Sequence, residues 1–134
     1  MNAPRLIIVD DSDLMRQVIE SVLDSQYEVV GSVADGETAV TAAARLTPEL
    51  VLLDISMPGI DGFEAARQIK RASPVTLIIF VSDHRGRSYI EAGFSAGGSG
   101  YVVKSNMMSE LLPAIQSVLT GKEYWPMDLR YLTG

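Results

Sequence analysis

The run Leu50-Val51-Leu52-Leu53-Asp54 decides the fold: four aliphatic residues with no polar break, closed by a carboxylate. A half-exposed strand alternates apolar and polar side chains, whereas a strand buried on both faces reads as a continuous apolar run. This stretch therefore predicts a central strand of a parallel sheet. The same signature recurs on either side of it. Leu6-Ile7-Ile8-Val9 ends in Asp10-Asp11, Val75 to Val81 ends in Ser82, and Tyr101-Val102-Val103 ends in Lys104. Tyr27 to Val33 alternates enough to be a further strand.

Helical spacing fills the intervals. Leu14, Val18 and Val22 recur with Met15, Ile19 and Leu23 beside them. Asp35 is placed to cap a helix carrying Ala39, Val40, Ala43 and Leu46. Asp61, with Glu64 three residues on, resembles a capping box before Phe63, Ala66 and Ile69. Tyr89 to Ala96 is the weakest helix, since Gly86, Gly93, Gly97 and Gly98 lie in or around it and an interior glycine costs about 1 kcal/mol relative to alanine. Met108, Leu111, Leu112, Ile115, Val118 and Leu119 form the clearest stripe. Proline is tolerated only near a first turn, so Pro113 predicts that this helix starts close to Ser109; Gly121 supplies its stop. Five strands and five helices in alternation predict an α/β, doubly wound domain, a parallel sheet with helices on both faces.

Composition closes off other classes. With 134 residues the chain is one domain, and 47% hydrophobic with 21% charged residues is globular rather than disordered. The absence of cysteine excludes disulfides, thiolate metal sites and a cysteine nucleophile, and one histidine, His84, is too few for a histidine-built metal site. The longest apolar runs fall far short of the ~20 residues of a membrane span. Met1-Asn2-Ala3-Pro4-Arg5 does not open a signal peptide, so a cytoplasmic location with no membrane partner is expected. A net charge of -6 argues against direct nucleic-acid binding; Arg85 and Arg87, the densest basic spot, read as a solvated loop.

In a doubly wound sheet, ligands sit outside the carboxyl ends of the strands. Those ends carry Asp10, Asp11, Asp54, Ser82 and the Tyr101–Lys104 stretch. Clustered carboxylates repel, and a bound divalent cation relieves them; hard oxygen ligands suit Mg²⁺. Any one of these acids alone fits a helix cap, Ser82 a satisfied hydroxyl, Lys104 a solvated cation and Tyr101 simple packing. The set on one edge is much harder to dismiss.

Ile8-Val9-Asp10-Asp11, Leu53-Asp54-Ile55-Ser56-Met57-Pro58-Gly59-Ile60-Asp61-Gly62, Val81-Ser82 and Ala96-Gly97-Gly98-Ser99-Gly100-Tyr101-Val102-Val103-Lys104 resemble the receiver domains of two-component response regulators. The last stretch is most similar to receivers that precede LuxR/NarL-type helix-turn-helix domains. The resemblance implies a flavodoxin-like (βα)5 sheet in the order 2-1-3-4-5. It implies that Asp54 accepts a phosphoryl group from a sensor histidine kinase or phosphotransfer protein. Mg²⁺ would be held by Asp11, Asp54 and the Ser56 carbonyl, with Asp10 acting largely through water. Lys104 and Ser82 would contact the phosphoryl group, and Tyr101 would turn inward. The fourth helix, fifth strand and fifth helix would form the switching face, docking an output domain, a downstream target or a second copy. Such a domain is no enzyme in the ordinary sense, although it promotes its own phosphorylation and dephosphorylation.

Departures from the family pattern mark candidate modulators. Asp83 stands where a small residue is usual and is expected to narrow access to Asp54 and slow phosphorylation. His84 follows it. Ser56 occupies a variable position that tunes the life of the phosphoryl group. Ser105 replaces a proline that commonly follows the lysine, leaving the geometry of the Lys104–Ser105 bond open. Residues 1–122 are expected to be the receiver and 123–134 a short tail with no output domain, in which Tyr124 and Trp125 cover the end of the core. Two rivals stand beside this reading. One is a docking or dimerisation module that needs no phosphorylation. The other is a haloacid-dehalogenase-like phosphatase using Asp11-Ser12-Asp13, disfavoured because Asp13 fits a first-turn acid and the chain has no room for a cap.

Overall fold

A computed structural model describes residues 3–133. Met1 and Asn2, part of the stretch read against a signal peptide, and Gly134, the end of the tail, lie outside the described residues. The strands are β1 (Arg5–Val9), β2 (Glu28–Val33), β3 (Leu50–Leu53), β4 (Leu77–Ser82) and β5 (Gly100–Val103). The helices are α1 (Asp13–Leu23), α2 (Gly36–Leu46), α3 (Gly62–Ala72), α4 (Arg87–Ser95) and α5 (Met107–Leu119). All strand pairs are parallel, in the order β2-β1-β3-β4-β5. The expected doubly wound architecture is therefore present.

The two-residue period of the strands sorts the core into two layers. Ile7, Val9, Val51, Leu53, Ile78, Phe80, Tyr101 and Val103 point to one side, where α2, α3 and α4 supply Ala39, Ala43, Ala65, Ala66, Ile69 and Ile90. Leu6, Ile8, Leu50, Leu52, Ile79, Val81 and Val102 point to the other, where α1 and α5 supply Ile19, Leu23, Leu111, Ala114, Ile115 and Val118. Alanine is the main contribution of α2 and α3, which lets those helices lie close to the sheet.

Three helices begin on side-chain caps. Ser12 accepts from Met15 N–H, Asp35 from Thr38 N–H and Asp61 from Glu64 N–H. Thus Ser12, rather than Asp10 or Asp11, caps α1, which leaves both acids to the strand end. The capping box at α3 is half formed, because the Glu64 carboxylate turns to Arg67 and Gln68 instead of back to Asp61.

Other expectations need correction. The strand expected from Val75 begins at Leu77, and Val75 is exposed. Leu14 and Met108, read as members of apolar stripes, are also exposed. The last helix starts at Met107, not near Ser109, so Pro113 stands well past its first turn. Buried Met107 anchors the earlier start, and a 3₁₀ turn over Lys104–Asn106 leads into it. A proline lacks the N–H that would close the bond to the carbonyl four residues back, so α5 forgoes one rung and keeps its apolar stripe on the sheet. No described peptide bond is cis, so Lys104–Ser105 is trans. Among the described residues no helix is long and apolar enough to cross a membrane.

Candidate functional site

The sheet itself positions the acids. Asp10 N–H bonds to Val33 O at 3.1 Å and Asp54 N–H to Val9 O at 3.0 Å, so both carboxylates are held by the last rungs of the ladder. Ser82 closes β4, paired with Val103. Gly62 lets α3 begin against this edge, because a Cβ there would stand 2.1 Å from the Asp54 carbonyl oxygen. The strand ends open into a cleft of about 330 Å³ lined by Asp10, Asp11, Asp54, Ser82, Asp83 and Lys104, together with Ser12, Met15, Ser56 and His84.

Carboxylate oxygens of Asp10, Asp11 and Asp54 all lie within 4.8 Å of one another. Asp10 and Asp54 are buried, while Asp11 is exposed at the mouth. The Lys104 ammonium sits between the buried pair, 2.8 Å from Asp10 Oδ2 and 3.2 Å from Asp54 Oδ2. The remaining oxygens find main-chain donors: Ile55 N–H bonds Asp54 Oδ1 at 2.8 Å and Ser12 N–H bonds Asp10 Oδ1 at 2.9 Å. Asp10 Oδ2 is buried and ion-paired to that ammonium, with no further donor among the described residues. Burial pushes the Asp54 carboxyl above its ordinary value, against the pull of the Lys104 charge and with a further push from Asp10. Burial works against the charged form of Lys104, but the two carboxylates outweigh it and raise its pKa. Three carboxylates facing one ammonium leave the cleft with an excess of negative charge, and its donor set of hard oxygens with one under-bonded buried atom fits Mg²⁺.

Around the mouth the structure shows a clasp that the residue pattern did not reveal. His84 Nε2 lies 2.9 Å from Ser56 Oγ, joining the loop after β4 to the loop after β3. Its ring stacks on Tyr89 of α4, with centroids 4.0 Å apart and planes 3° from parallel. Its N–H donates to Ser82 Oγ at 3.2 Å, and its carbonyl accepts from the Tyr101 hydroxyl at 2.7 Å. Tyr101 is fully buried, and its hydroxyl pKa is raised, first by that burial. Asp83 is exposed on the rim. Arg16 was also missed: Nη1 donates to the Asp10 carbonyl at 2.5 Å, and the guanidinium pairs with Asp13. Asp13 thus points outward as a first-turn acid. Arg85 and Arg87 are both exposed, as read, but Arg85 also donates to Ser105 Oγ at 2.5 Å, and Arg87 opens α4 instead of lying in the loop. Only the bare presence of polar side chains in loops that follow strands signals these contacts in the sequence.

The response regulator receiver domain family matches residues 6–116. The chain is 32% identical over 125 residues to the transcriptional regulatory protein DegU of Brevibacillus brevis, covering 92% of this chain and 53% of that protein. Among solved structures, a two-component response regulator of the LuxR family from Aurantimonas superposes with a TM-score of 0.87 at 30% identity, over 98% of this chain and 94% of that one. A CheX–CheY–BeF3–Mg complex from Borrelia burgdorferi gives 0.81 at 25% identity, over 85% and 87%. The chain spans about half the length of DegU.

Proposed function

The chain belongs to the receiver domains of two-component response regulators, and on that premise we propose that Asp54 is its phosphoacceptor. The observation that carries this is the buried Asp54 carboxylate, aligned by Ile55 N–H and 3.2 Å from the Lys104 ammonium at the floor of an anionic cleft. A carboxylate is a weak nucleophile, so such a site works by positioning and by neutralising charge. An Asp54 oxygen attacks phosphorus in a phosphohistidine; the P–N bond breaks, and its electron pair stays on the imidazole. Lys104 Nζ balances one equatorial oxygen, and Ser82 Oγ, which accepts from His84 N–H, donates its own proton to another. Asp10, Asp11, Asp54 and the Ser56 carbonyl would hold Mg²⁺, which supplies charge neutralisation on the phosphoryl oxygens. Receiver domains of this family take their phosphoryl group from histidine kinases or phosphotransfer proteins, and this chain is read the same way, with α4, β5 and α5 as the face that changes. An output domain in a longer chain, a separate target or a second copy would dock there.

Intact mass after incubation with acetyl phosphate and Mg²⁺ tests the assignment. One phosphoryl adduct is expected in the wild type and none in Asp54→Asn. An adduct that survives in Asp54→Asn, or no adduct in the folded wild type, sinks it. The rim acid Asp83 repels an anionic donor, so Asp83→Ala is expected to speed labelling about three-fold, within the range of one partly screened charge. An unchanged rate removes Asp83 from the account.

A further inference from the structure

The residues after α5 do not leave the domain; they run along the outer edge of β5 and then across α4. Tyr124 N–H bonds Ser99 O at 3.1 Å, and Tyr101 N–H bonds Tyr124 O at 2.9 Å, so Tyr124 bridges Gly100 as an added parallel strand. Glycine at position 100 suits this close approach, because a Cβ would lie 3.1 Å from the Tyr124 carbonyl oxygen and push it back by a few tenths of an ångström. Beyond it, Trp125 meets Phe94 of α4 edge-on at 5.7 Å. Leu129 is buried in the apolar layer that holds Phe80 and Tyr101. Tyr131 donates its hydroxyl to the Glu91 carboxylate and accepts from Arg87 Nη1 at 3.0 Å.

We propose that residues 123–132 are a positioning strap that sets the wall of the Asp54 cleft through Tyr101 and His84, so that a seated strap and a phosphorylated Asp54 favour one another. This rests on the reading of Asp54 as phosphoacceptor. The strap grips the main chain of Tyr101. The Tyr101 hydroxyl holds the His84 carbonyl, and His84 in turn holds Ser82 Oγ and Ser56 Oγ, both in the cleft wall. Each link is a hydrogen bond, and none is supplied by α5 or by the loop after β3 alone. This contiguous chain couples the seated strap to the cleft wall, and the coupling free energy is reciprocal. The strap holds the cleft wall that labelling needs, so loosening it is expected to slow phosphorylation, and by linkage the phosphorylated state is expected to tighten the strap.

The test uses the whole chain as wild type, Leu129→Asp and Tyr131→Phe. Two quantities are read: the rate of the Mg²⁺-dependent acetyl-phosphate adduct by intact mass, and hydrogen exchange at the Tyr124 and His84 amides. Leu129→Asp is expected to label about five-fold more slowly, at the lower end of typical coupling factors, and Tyr131→Phe about two-fold more slowly, the effect of one weak hydrogen bond. His84 exchange rises with Tyr124 exchange in Leu129→Asp, and both fall in the phosphorylated wild type. Faster Tyr124 exchange with an unchanged labelling rate overturns the strap while leaving Asp54 as phosphoacceptor. If the wild type takes no adduct, the phosphoacceptor reading fails, and the strap is judged by exchange alone: Tyr124 released with His84 unmoved overturns it. Should Leu129→Asp not fold, Tyr131→Phe decides, and a rate and His84 exchange both equal to wild type overturn the proposal.

Discussion

At the amino edge of the sheet the Lys70 ammonium donates to the carbonyls of Pro74 at 2.9 Å and Thr76 at 2.7 Å. Thr76 Oγ1 donates to Pro48 O at 2.8 Å, with Ser73 Oγ on its other side at 2.7 Å, and Arg5 Nη1 caps Leu46 O at 2.9 Å. These donors meet neutral carbonyls, and the one carboxylate beside them, Glu49, accepts from Arg5 N–H at 3.2 Å, so the edge is closed. At the carboxyl edge, one ammonium faces a cluster of three carboxylates, and a buried oxygen of Asp10 has no donor beyond that ammonium among the described residues. The difference teaches where chemistry can happen. Cations and hydroxyls already satisfied by carbonyl dipoles gain little from a ligand, whereas a surplus of buried negative charge is lowered in energy by a cation that enters.

The comparison breaks most visibly at Lys104. Lys104→Met leaves two buried carboxylates without their counter-charge, and removing one partner of a buried pair costs about 3–5 kcal/mol. Urea unfolding without Mg²⁺ should show that loss, and saturating Mg²⁺ should recover a good part of it. If Mg²⁺ restores nothing, the cluster does not bind the ion as read. At the closed edge, Thr76→Val strands the Ser73 hydroxyl and the Pro48 carbonyl and should cost about 2 kcal/mol. That loss must be the same with and without Mg²⁺, since no charge is involved; a Mg²⁺-dependent difference would mean the two edges are not independent. The smallest effect is a slope. Burial raises the Asp54 carboxyl above its ordinary value, so the folded chain holds that proton more tightly than the unfolded one. Its contribution to stability therefore falls as pH rises from the ordinary carboxylate value to the raised one, and is level above. Asp54→Asn removes the slope, so its stability relative to wild type should grow as pH rises from the ordinary carboxylate value to the raised one in Mg²⁺-free buffer. A constant gap across that range would show that the excess charge is not felt.

Most of the fold was legible because its signals are local. A run such as Leu50–Leu53 states burial on both faces, and Asp35 and Asp61 cap the helices expected of them. The acids at the strand ends were legible for the same reason, since in a parallel sheet every strand delivers its last residue to one edge. What failed was also local. An apolar stripe does not say which of its members the neighbouring element covers, so Leu14 and Met108 stand exposed. Pro113 was weighed by helix propensity, which the burial of Met107 overrides at the start of α5.

By itself, then, the sequence determined the alternation of strands and helices, the two apolar faces of the sheet and the placing of Asp10, Asp54, Ser82 and Lys104 at its carboxyl edge. Tertiary structure alone decided that Lys104 bonds Asp54 across 50 residues of chain, that His84 clasps Ser56 across 28, and that the residues after α5 return to cover β5 and α4. The physical reason is that periodicity and capping are properties of neighbours along the chain, whereas these contacts depend on where loops of independent sequence come to rest once the sheet has fixed their ends.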